Sequence, residues 1–516
     1  MVIPSVSSCL TAVFGKARAQ SDGISKTMTA IRCPPANTSS SFIWSRHTPV
    51  TGIFTRRLSR KRSSMPKPKI GEELELSIET PAFGGFGIAR HDGVVVFVRY
   101  AYPGERVIAR IVKRKKTAMF ADAVSILEPI SSRRPASCEV YTICGGCSCQ
   151  DIDYDEQFAI KLNVVKDCLE HIGGFTDYPD PETIHADREF GYRNKMELSF
   201  GEDGGEVFLG QHVRGRFDRL VRAENCALMP EVGRRFAREI ARRATVAGLA
   251  IYNQYRDEGF LRHLTLRFSE TTGDFLAGIT LRRRELEALR PIFDGLSDEF
   301  PQLVGASAVV NQSTGDTAKG EVVPMFGKSF IEEDMLGLRF RISLESFFQT
   351  NTRMARIFYN KILDFAEADT GLTAFDLFSG TGTIAQILST KFKRVIAIES
   401  VERAVADARF SADLNDIANI EFIFGSVEKE LSNAIRSASP ELVVLDPPRS
   451  GIAKKSLDKI LEAEPRAIIY ASCNPSTLAR DLGLLAPKYS ISRMAIIDMF
   501  PQTHHIETLI RLDARV

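Results

Sequence analysis

The C-terminal third of the chain repeats a pattern that few folds can accommodate. From about residue 350 onward, short apolar runs typical of buried strands alternate with amphipathic segments of helical length. The runs begin at positions 374, 394, 420, 442 and 467. Strands that alternate with helices in this way form a mostly parallel sheet with helices on both faces, and ligands bind at the carboxyl ends of its strands. The pattern therefore predicts a doubly wound α/β domain over residues 346–516.

Residues 66–128 show a different pattern, in which apolar and polar residues alternate with period two. Turns that contain Gly and Pro separate the alternating runs, which cover residues 73–79, 94–98, 106–112 and 121–127. Several short strands at this spacing indicate a small β-barrel of the OB type. The basic run at 113–116 is either a solvated hairpin or part of a face that binds nucleic acid.

The first 65 residues are rich in Ser, Thr, Arg and Pro without sustained periodicity, which predicts a disordered basic tail. They hold ten of the chain's 67 Lys and Arg but one of its 65 Asp and Glu, so the remainder carries a formal charge of −7. Two interpretations stay open: an organellar transit peptide, or a start codon assigned upstream of Met65. We expect the protein in a bacterial cytoplasm, or in a plastid or mitochondrion if the tail directs import.

Composition argues against several other classes of protein. The chain has no run of about 18 uncharged apolar residues, so we do not expect a membrane protein. Nine cysteines in 516 residues are too few for a disulfide scaffold. Residues 129–345 mix helical and strand-like stretches and predict a central α+β domain. Arginines recur there at helical spacing over 234–243, which indicates either a solvated helix face or a surface that faces RNA.

A glycine-rich loop follows the first strand of the predicted C-terminal sheet. Residues 376–383 read DLFSGTGT, and Glu399 stands at the end of the next strand. Glycines at such a turn let the backbone approach a bound nucleotide, and an acidic residue one strand further accepts hydrogen bonds from ribose hydroxyls. The loop alone leaves three interpretations open: a site for NAD, a site for S-adenosylmethionine, or a structural turn.

Three further motifs lie at the same edge of that sheet. The string DPPRSG places Asp446 directly after a buried strand, where an ionised carboxylate can accept from the imide N–H of a base. The string SCNPST places Cys473 after another strand, as a candidate nucleophile. The string HHIET supplies Glu507 as a candidate general base beside two imidazoles. Taken singly, each of these residues is also common in a purely structural role.

A cysteine cluster lies in the predicted central domain. It consists of Cys138, Cys144 and Cys147, with Cys149 just after, and Cys226 is the best candidate for a fourth ligand. Four thiolates suit a [4Fe-4S] cluster or a structural zinc ion, and ligand identity does not separate the two. The alternative is a set of unliganded thiols.

Together these motifs resemble the family of RNA uracil-5-methyltransferases, in particular its iron-sulfur subgroup that makes 5-methyluridine in 23S ribosomal RNA. The resemblance covers almost all of residues 66–516. Residues 66–128 look like the family's TRAM domain, an OB-like RNA-binding barrel. Residues 346–516 look like its Rossmann-like class I methyltransferase domain, and residues 129–345 like its central iron-sulfur domain. The tail of residues 1–65 has no counterpart in the family.

The resemblance implies a role for individual residues. It implies a [4Fe-4S] cluster held by Cys138, Cys144, Cys147 and Cys226, which makes Cys149 a bystander. It implies S-adenosylmethionine as cofactor, contacted by Gln349, Phe378, Thr383, Glu399 and Asp446. The nucleophile falls on Cys473 and the general base on Glu507.

The implied reaction is methylation of carbon 5 of a specific uridine in RNA, through a covalent bond between Cys473 and uracil. The resemblance favours 23S rRNA as substrate, and tRNA is the alternative because related archaeal enzymes with the cluster act on tRNA. We expect a monomer. Two other classes share parts of the pattern: an amino-methyltransferase of DNA or protein, which needs no Cys473, and a noncatalytic RNA-binding protein, which needs neither Cys473 nor Glu507.

Overall fold

The computed structural model describes residues 68–367 and 372–515, so the predicted tail of residues 1–65 lies outside the described residues. The first domain contains six strands: β1 (Glu73–Ser77), β2 (Thr80–Ala82), β3 (Phe86–His91), β4 (Val94–Arg99), β5 (Arg106–Arg114) and β6 (Ala118–Glu128). They form one sheet in the order β1-β5-β6-β4-β3-β2.

The barrel closes because β1 and β2 are two halves of one bent strand. β1 pairs with β5 at one end of the sheet, and β2 pairs with β3 at the other end. Alternate residues point inward, as in β5, where Val107, Ala109 and Ile111 are buried between more exposed neighbours. The parallel pairing of β4 with β6 completes a five-stranded path of the OB type. The predicted barrel is therefore confirmed.

The segment after the barrel carries the cysteines and then forms α1 (Tyr154–His171) and β7 (Glu182–Ile184). A seven-stranded sheet follows, with strands β8 (Lys195–Asp203), β9 (Glu206–His212), β10 (Leu220–Arg222), β11 (Leu261–Phe268), β12 (Phe275–Leu281), β13 (Leu303–Val310) and β14 (Glu321–Gly327). Three helices occur within this region: α2 (Glu231–Val246), α3 (Arg290–Phe293) and α4 (Leu296–Glu299). The strand order is β10-β9-β8-β11-β12-β13-β14.

The arginines over residues 234–243 lie on α2, as their spacing predicts. Acidic residues of the same helix pair with several of them: Arg234 with Glu231, and both Arg242 and Arg243 with Glu239. Ion pairs within one helix face are typical of a solvated surface. The contacts therefore favour the solvated-face interpretation of this stretch.

The C-terminal domain is preceded by a hairpin of β15 (Phe330–Met335) and β16 (Leu338–Ser343), which packs into the same core. Its elements are α5 (Thr352–Ala366), β17 (Thr373–Leu377), α6 (Thr383–Ser389), β18 (Arg394–Glu399), α7 (Glu402–Leu414), β19 (Ile420–Phe424), α8 (Val427–Ser437), β20 (Leu442–Leu445), α9 (Lys454–Ala463), β21 (Ala467–Ser472), α10 (Pro475–Leu485), β22 (Tyr489–Ile497) and β23 (Glu507–Ala514). The eight-stranded sheet has the order β19-β18-β17-β20-β21-β23-β22-β7.

This sheet is the predicted doubly wound one, with an antiparallel addition. β17 to β21 are parallel to one another, whereas β23 is antiparallel to both of its neighbours. The chain leaves β17 toward β18 and β19 and then crosses back to β20, so the strand order reverses between β17 and β20. In open α/β sheets the ligand crevice lies at such a reversal, outside the carboxyl ends of the strands.

The chain between residues 154 and 184, which the sequence predicts as part of the central domain, packs on the C-terminal sheet instead. β7 extends this sheet by pairing in parallel with β22. α1 buries Phe158, Val165 and Leu169 in the core that contains β17 and α10. The apolar stripe of α1 needs an apolar partner, and only the tertiary structure shows which sheet supplies it. Within the described residues, no helix is long and apolar enough to cross a membrane.

Candidate active site

The carboxyl ends of three parallel strands meet at one edge of the C-terminal sheet. Asp376 belongs to β17, Asp446 follows β20, and Cys473 follows β21. Glu507 is the first residue of the antiparallel β23, next to β21, so it enters the sheet at this same edge. The topology thus brings together side chains that lie up to 131 positions apart in the sequence.

The glycine-rich loop after β17 has the conformation of a tight ligand cradle. Phe378, Gly380 and Gly382 all have positive φ angles, of 67°, 54° and 73°. A Cβ atom on Gly382 would stand 2.8 Å from both Ala408 and Phe422, so only glycine lets α6 begin so close to its neighbours. A Cβ atom on Gly380 would meet no atom within 4 Å, so this part of the loop faces open space.

Glu399 braces this loop from the end of β18. One carboxylate oxygen accepts from the backbone N–H of Gly380 at 2.9 Å, and the other accepts from that of Val401 at 2.8 Å. The side chain is half-buried, so its remaining lone pairs face the crevice. This is the position at which a ribose would reach it.

Two carboxyl groups lie on the neighbouring strands β17 and β20: Asp376 is fully buried, and Asp446, just beyond β20, is half-buried. Burial, with a smaller contribution from the charge of Asp446, raises the pKa of Asp376 to about 8. Burial alone raises the pKa of Asp446 to about 7. Neither oxygen of Asp376 has a hydrogen-bond partner among the described residues. A fully buried carboxyl without partners is suited to a ligand that brings a positive charge or N–H donors.

The DPPRSG loop is held by the helix that follows Cys473. Asn474 Nδ2 donates to the carbonyl oxygen of Arg449 at 2.8 Å. Asp481, which is fully buried on α10, accepts from the N–H of Ile452 at 2.8 Å and from the hydroxyl of Tyr470 at 2.7 Å. The loop and Cys473 are therefore fastened to one another, which keeps Asp446 and Cys473 at a set separation.

Cys473 lies half-buried between groups of opposite charge. Burial and the charge of Glu507 together raise the pKa of its thiol to about 11, although the charge of Arg449 lowers it. Arg449 also lies beside His505, with its Nη2 atom 3.4 Å from Nε2 of that ring. Arg449 is thus the nearby positive charge that favours the thiolate of Cys473.

Glu507 and the two histidines share a desolvated environment. Burial raises the pKa of Glu507 well above its ordinary value, and Asp446 adds to this effect. Burial lowers the pKa of His504 to about 4 and that of His505 to about 3. Both imidazoles are therefore neutral at neutral pH.

Gln502 positions the chain that leads to Glu507. Its φ angle of 67° is unusual for a residue other than glycine, and its side chain is fully buried. The backbone N–H of Gln502 donates to the side-chain oxygen of Gln157 at 3.0 Å, and Nε2 of Gln502 donates to Glu189 at 2.7 Å. The backbone N–H of Ser148 donates to the carbonyl oxygen of Gln502 at 2.9 Å. The cysteine-containing segment therefore contacts the active-site loop directly.

Sequence reasoning missed three residues that organise this edge: Gln502, Asn194 and Tyr359. Asn194 Nδ2 donates to the backbone oxygen of Gln349 at 2.8 Å, which ties Gln349 to the central sheet. Gln349 forms no side-chain hydrogen bond within the described part of the chain. The hydroxyl of Tyr359 faces Thr383, and burial raises the pKa of this tyrosine, with a further contribution from Asp446. No local motif marks these residues, because each acts from another element.

The predicted cluster cysteines lie around one cavity. The cavity has a volume of about 690 Å³, and its lining includes Cys138, Cys144, Cys147 and Cys226. All four thiols are free, and two of their sulfur atoms accept hydrogen bonds: Cys144 from the N–H of Gly146 at 3.4 Å, and Cys147 from Gln150 Nε2 at 3.2 Å. In residues 68–367 and 372–515, no three His, Cys, Asp or Glu side chains are close enough to hold a single metal ion.

The sheet order, the glycine loop and the buried carboxyls define a class I methyltransferase domain. The family model described as tRNA (Uracil-5-)-methyltransferase matches residues 325–515, and the TRAM domain model matches residues 67–124. A protein of Clostridium tetani named an uncharacterized RNA methyltransferase is 35% identical over 451 residues, covering 86% of this chain and 98% of its own. A similarly named protein of Gloeobacter violaceus is 37% identical over 452 residues, with 86% and 97% covered.

Among solved structures, the tRNA (uracil-54, C5)-methyltransferase of Pyrococcus abyssi, in complex with S-adenosyl-L-homocysteine, is similar over 85% of this chain and 100% of its own. The TM-score is 0.69 and the sequence identity is 25%. The chain belongs to the S-adenosylmethionine-dependent RNA uracil-5-methyltransferase family. The family match begins at residue 325, which includes the β15–β16 hairpin and lies before the predicted boundary at 346.

Proposed function

We propose that the protein methylates carbon 5 of a specific uridine in 23S rRNA. The observation that carries the reaction is the juxtaposition of Cys473, Glu507 and Asp446 at the ligand-binding edge of the sheet, beside the glycine-rich loop. A nucleophilic thiol next to a carboxyl that can exchange a proton is the pair that this chemistry needs. A DNA or protein amino-methyltransferase has no use for that pair.

The steps assigned to the side chains follow from the electronic structure of uracil, whose carbon 5 is a poor nucleophile. The thiolate of Cys473 attacks carbon 6, and the electrons of the carbon 5–carbon 6 double bond move to carbon 5 and oxygen 4. Bound S-adenosylmethionine supplies an electrophilic methyl group to carbon 5. The carboxylate of Glu507 then takes the carbon 5 proton, the electron pair of that C–H bond re-forms the carbon 5–carbon 6 double bond, and the bond between carbon 6 and sulfur breaks to return the Cys473 thiolate. A uridine stacked in RNA cannot reach Cys473, so it must be unpaired or flipped out.

The residues around the crevice fit S-adenosylmethionine. The cofactor carries positive charge on its sulfonium and ammonium groups, and neither the buried Asp376 nor the half-buried Asp446 has a positively charged partner among the described residues. Glu399 is placed for the ribose, and the open face of Gly380 leaves room for the backbone to approach the ligand. Phe378, Thr383 and Gln349 line the same crevice in this assignment, in keeping with the family resemblance.

Binding of S-adenosylmethionine is expected to strengthen as the pH rises. Because the pKa of Asp446 is about 7 and that of Asp376 about 8, both carboxyls are largely neutral at lower pH and must lose a proton before they can neutralise the cofactor. Ionisation of Asp446 alone would raise the affinity roughly tenfold between about pH 6 and about pH 8, and ionisation of Asp376 adds to this rise. Calorimetric titration at several pH values measures this change. The variant Asp376→Asn should show a smaller pH dependence, and an equal dependence in both proteins would contradict the assignment.

The RNA substrate is tested by mapping nucleosides. We compare rRNA and tRNA by mass spectrometry from a strain that lacks the gene, with and without an intact copy or a Cys473→Ala copy. Loss of one 5-methyluridine from 23S rRNA that only the intact copy restores supports the proposal. The tRNA (uracil-54, C5)-methyltransferase of Pyrococcus abyssi makes tRNA the second candidate, and loss of 5-methyluridine from tRNA would identify it instead.

We also propose that Cys138, Cys144, Cys147 and Cys226 hold a [4Fe-4S] cluster. Their placement around one cavity supports this, because a four-iron cluster is larger than one ion and its ligands stand further apart. The hydrogen bonds that Cys144 and Cys147 accept are the type that stabilises cluster-bound sulfur. We assign the cluster a role in folding or RNA positioning, because no step of the proposed methyl transfer involves it.

Anaerobically purified protein is therefore expected to contain iron and acid-labile sulfide. The variant Cys144→Ser should lose most of both, because a hydroxyl is a poor replacement for a thiolate ligand. The variant Cys149→Ser is the matched control: this buried thiol donates to the carbonyl oxygen of Thr503 at 3.4 Å, and it should keep the full iron content. Equal iron loss from both variants would contradict the ligand assignment.

A further inference from the structure

A second cavity lies in the central domain, apart from the crevice of the C-terminal sheet. Its volume is about 240 Å³. Two loops border it: residues 213–219, which join β9 to β10, and residues 252–258, which precede β11. None of the motifs that identify the family falls on these loops, and the methyl transfer uses neither of them.

Two aromatic rings at the cavity are exposed to solvent. Phe217, on the first loop, is 69% exposed, and Tyr255, on the second, is 75% exposed. The turn that carries Tyr255 is well fastened, because Asn253 Oδ1 accepts from the N–H of Tyr255 at 3.0 Å and Gln254 Nε2 donates to Thr314 at 2.7 Å. Large rings held in water on a bonded turn are suited to stacking against a flat partner.

Polar side chains form the floor of the cavity. His263 is 7% exposed, and its Nδ1 atom lies 3.2 Å from the hydroxyl of Ser199. Its Nε2 atom lies 3.2 Å from a carboxylate oxygen of Asp316. His212 approaches the other oxygen of Asp316 at 2.9 Å. Imidazole nitrogens and a carboxylate can read the polar edge of a nucleobase.

Arg214 connects this cavity to the active site. Its backbone N–H donates to Ile143 at 2.8 Å, and its guanidinium donates to the carbonyl oxygen of Cys147. Its charge lowers the pKa of His504 at the active-site edge. Phe217 follows three residues later, a chain length of at most about 11 Å. The cavity is therefore within a few nucleotides of a uridine bound at Cys473.

We infer that this cavity binds an unpaired nucleotide of the substrate RNA that lies near the target uridine in the folded strand, an inference that rests on the proposed function. The base stacks on Phe217 or Tyr255, and its edge meets the floor formed by His263, His212 and Asp316. Exposed cations stand on both loops: Arg219 and Arg256 form no ion pair within the described residues, and they can contact the RNA backbone.

The test uses the full-length protein, purified anaerobically, and labelled bulk rRNA and tRNA from a strain that lacks the gene. The double variant Phe217→Ala/Tyr255→Ala should bind the substrate RNA roughly tenfold more weakly than the unmodified protein. Its affinity for S-adenosyl-L-homocysteine and its unfolding temperature should not change, because both rings are exposed. Phe424→Ala is the matched control, since this phenylalanine is 52% exposed on the edge strand β19, and it should keep full RNA affinity.

Ultraviolet cross-linking followed by peptide mapping adds a direct readout, with adducts expected on residues 213–219 or 252–258. Unchanged RNA affinity in the double variant, or equal loss in Phe424→Ala, overturns the inference even if the unmodified protein methylates RNA. A protein that binds no RNA in any form overturns the proposed function as well. The two failures are therefore distinguishable.

Discussion

Replacing Cys473 with alanine is expected to abolish methyl transfer, with a loss on the order of 10⁴-fold or more, as for removal of a catalytic nucleophile. Without a bond to carbon 6, carbon 5 of uracil has no electron density to accept a methyl group. The measurement is transfer of labelled methyl groups to RNA from the deletion strain. The same variant should form no denaturant-stable adduct with RNA that contains 5-fluorouridine, whereas the unmodified protein should, because fluorine cannot leave as a proton.

Two controls separate this chemical effect from a loss of structure. Cys168→Ser changes another buried thiol, on α1, and should leave the activity near that of the unmodified protein. The Cys473→Ala variant should still bind S-adenosyl-L-homocysteine, because the residues assigned to the cofactor are elsewhere. Methyl transfer that survives in Cys473→Ala would exclude the covalent mechanism and leave a methyltransferase that acts without a Cys473 adduct.

The protonation states of the two catalytic candidates are linked. The pKa of the Cys473 thiol is about 11, partly because a charged Glu507 would oppose the thiolate. Burial also raises the pKa of Glu507 well above its ordinary value, which makes its carboxylate a stronger base for the later removal of the carbon 5 proton. The charge of Arg449 opposes both effects: it lowers the pKa of Cys473 and so favours the thiolate at the moment of attack.

The sequence predicts well what is local along the chain. The five predicted parallel strands and the observed β17 to β21 agree to within two residues at each end, because both faces of a central parallel strand are buried and the strand reads as a continuous apolar run. The placement of Asp446 and Cys473 followed from the same runs, since each stands just beyond one. Replacing these residues tests whether they act as proposed.

The sequence predicts poorly what one segment contributes to another. α1 and β7 join the C-terminal sheet although they precede the central sheet in the chain. The antiparallel strand β23 inserts next to β21, a long-range pairing that no local pattern specifies. No local pattern marks Gln502 and Asn194 either, because their effect depends on hydrogen bonds to distant segments. These are tertiary contacts, and periodicity does not encode them.

Replacing Glu507 with glutamine is expected to stop the reaction after the methyl group has reached carbon 5. Glutamine has nearly the same shape but cannot accept the carbon 5 proton, so the bond between Cys473 and carbon 6 cannot break by elimination. Turnover should fall on the order of 10³-fold. A denaturant-stable complex with ordinary uridine RNA should accumulate, only when S-adenosylmethionine is present, and gel electrophoresis after denaturation detects it.

The trapped complex distinguishes a base from a structural carboxyl. The double variant Glu507→Gln/Cys473→Ala should form no complex, and Glu464→Gln, an exposed carboxyl paired with Lys488 on the same domain, should turn over normally. The Glu507→Gln protein should be at least as stable as the unmodified one, because burial already disfavours the charged form of Glu507. Loss of turnover without a trapped complex would move the proton transfer to another group, and His505, neutral and beside Arg449, would be the next residue to replace.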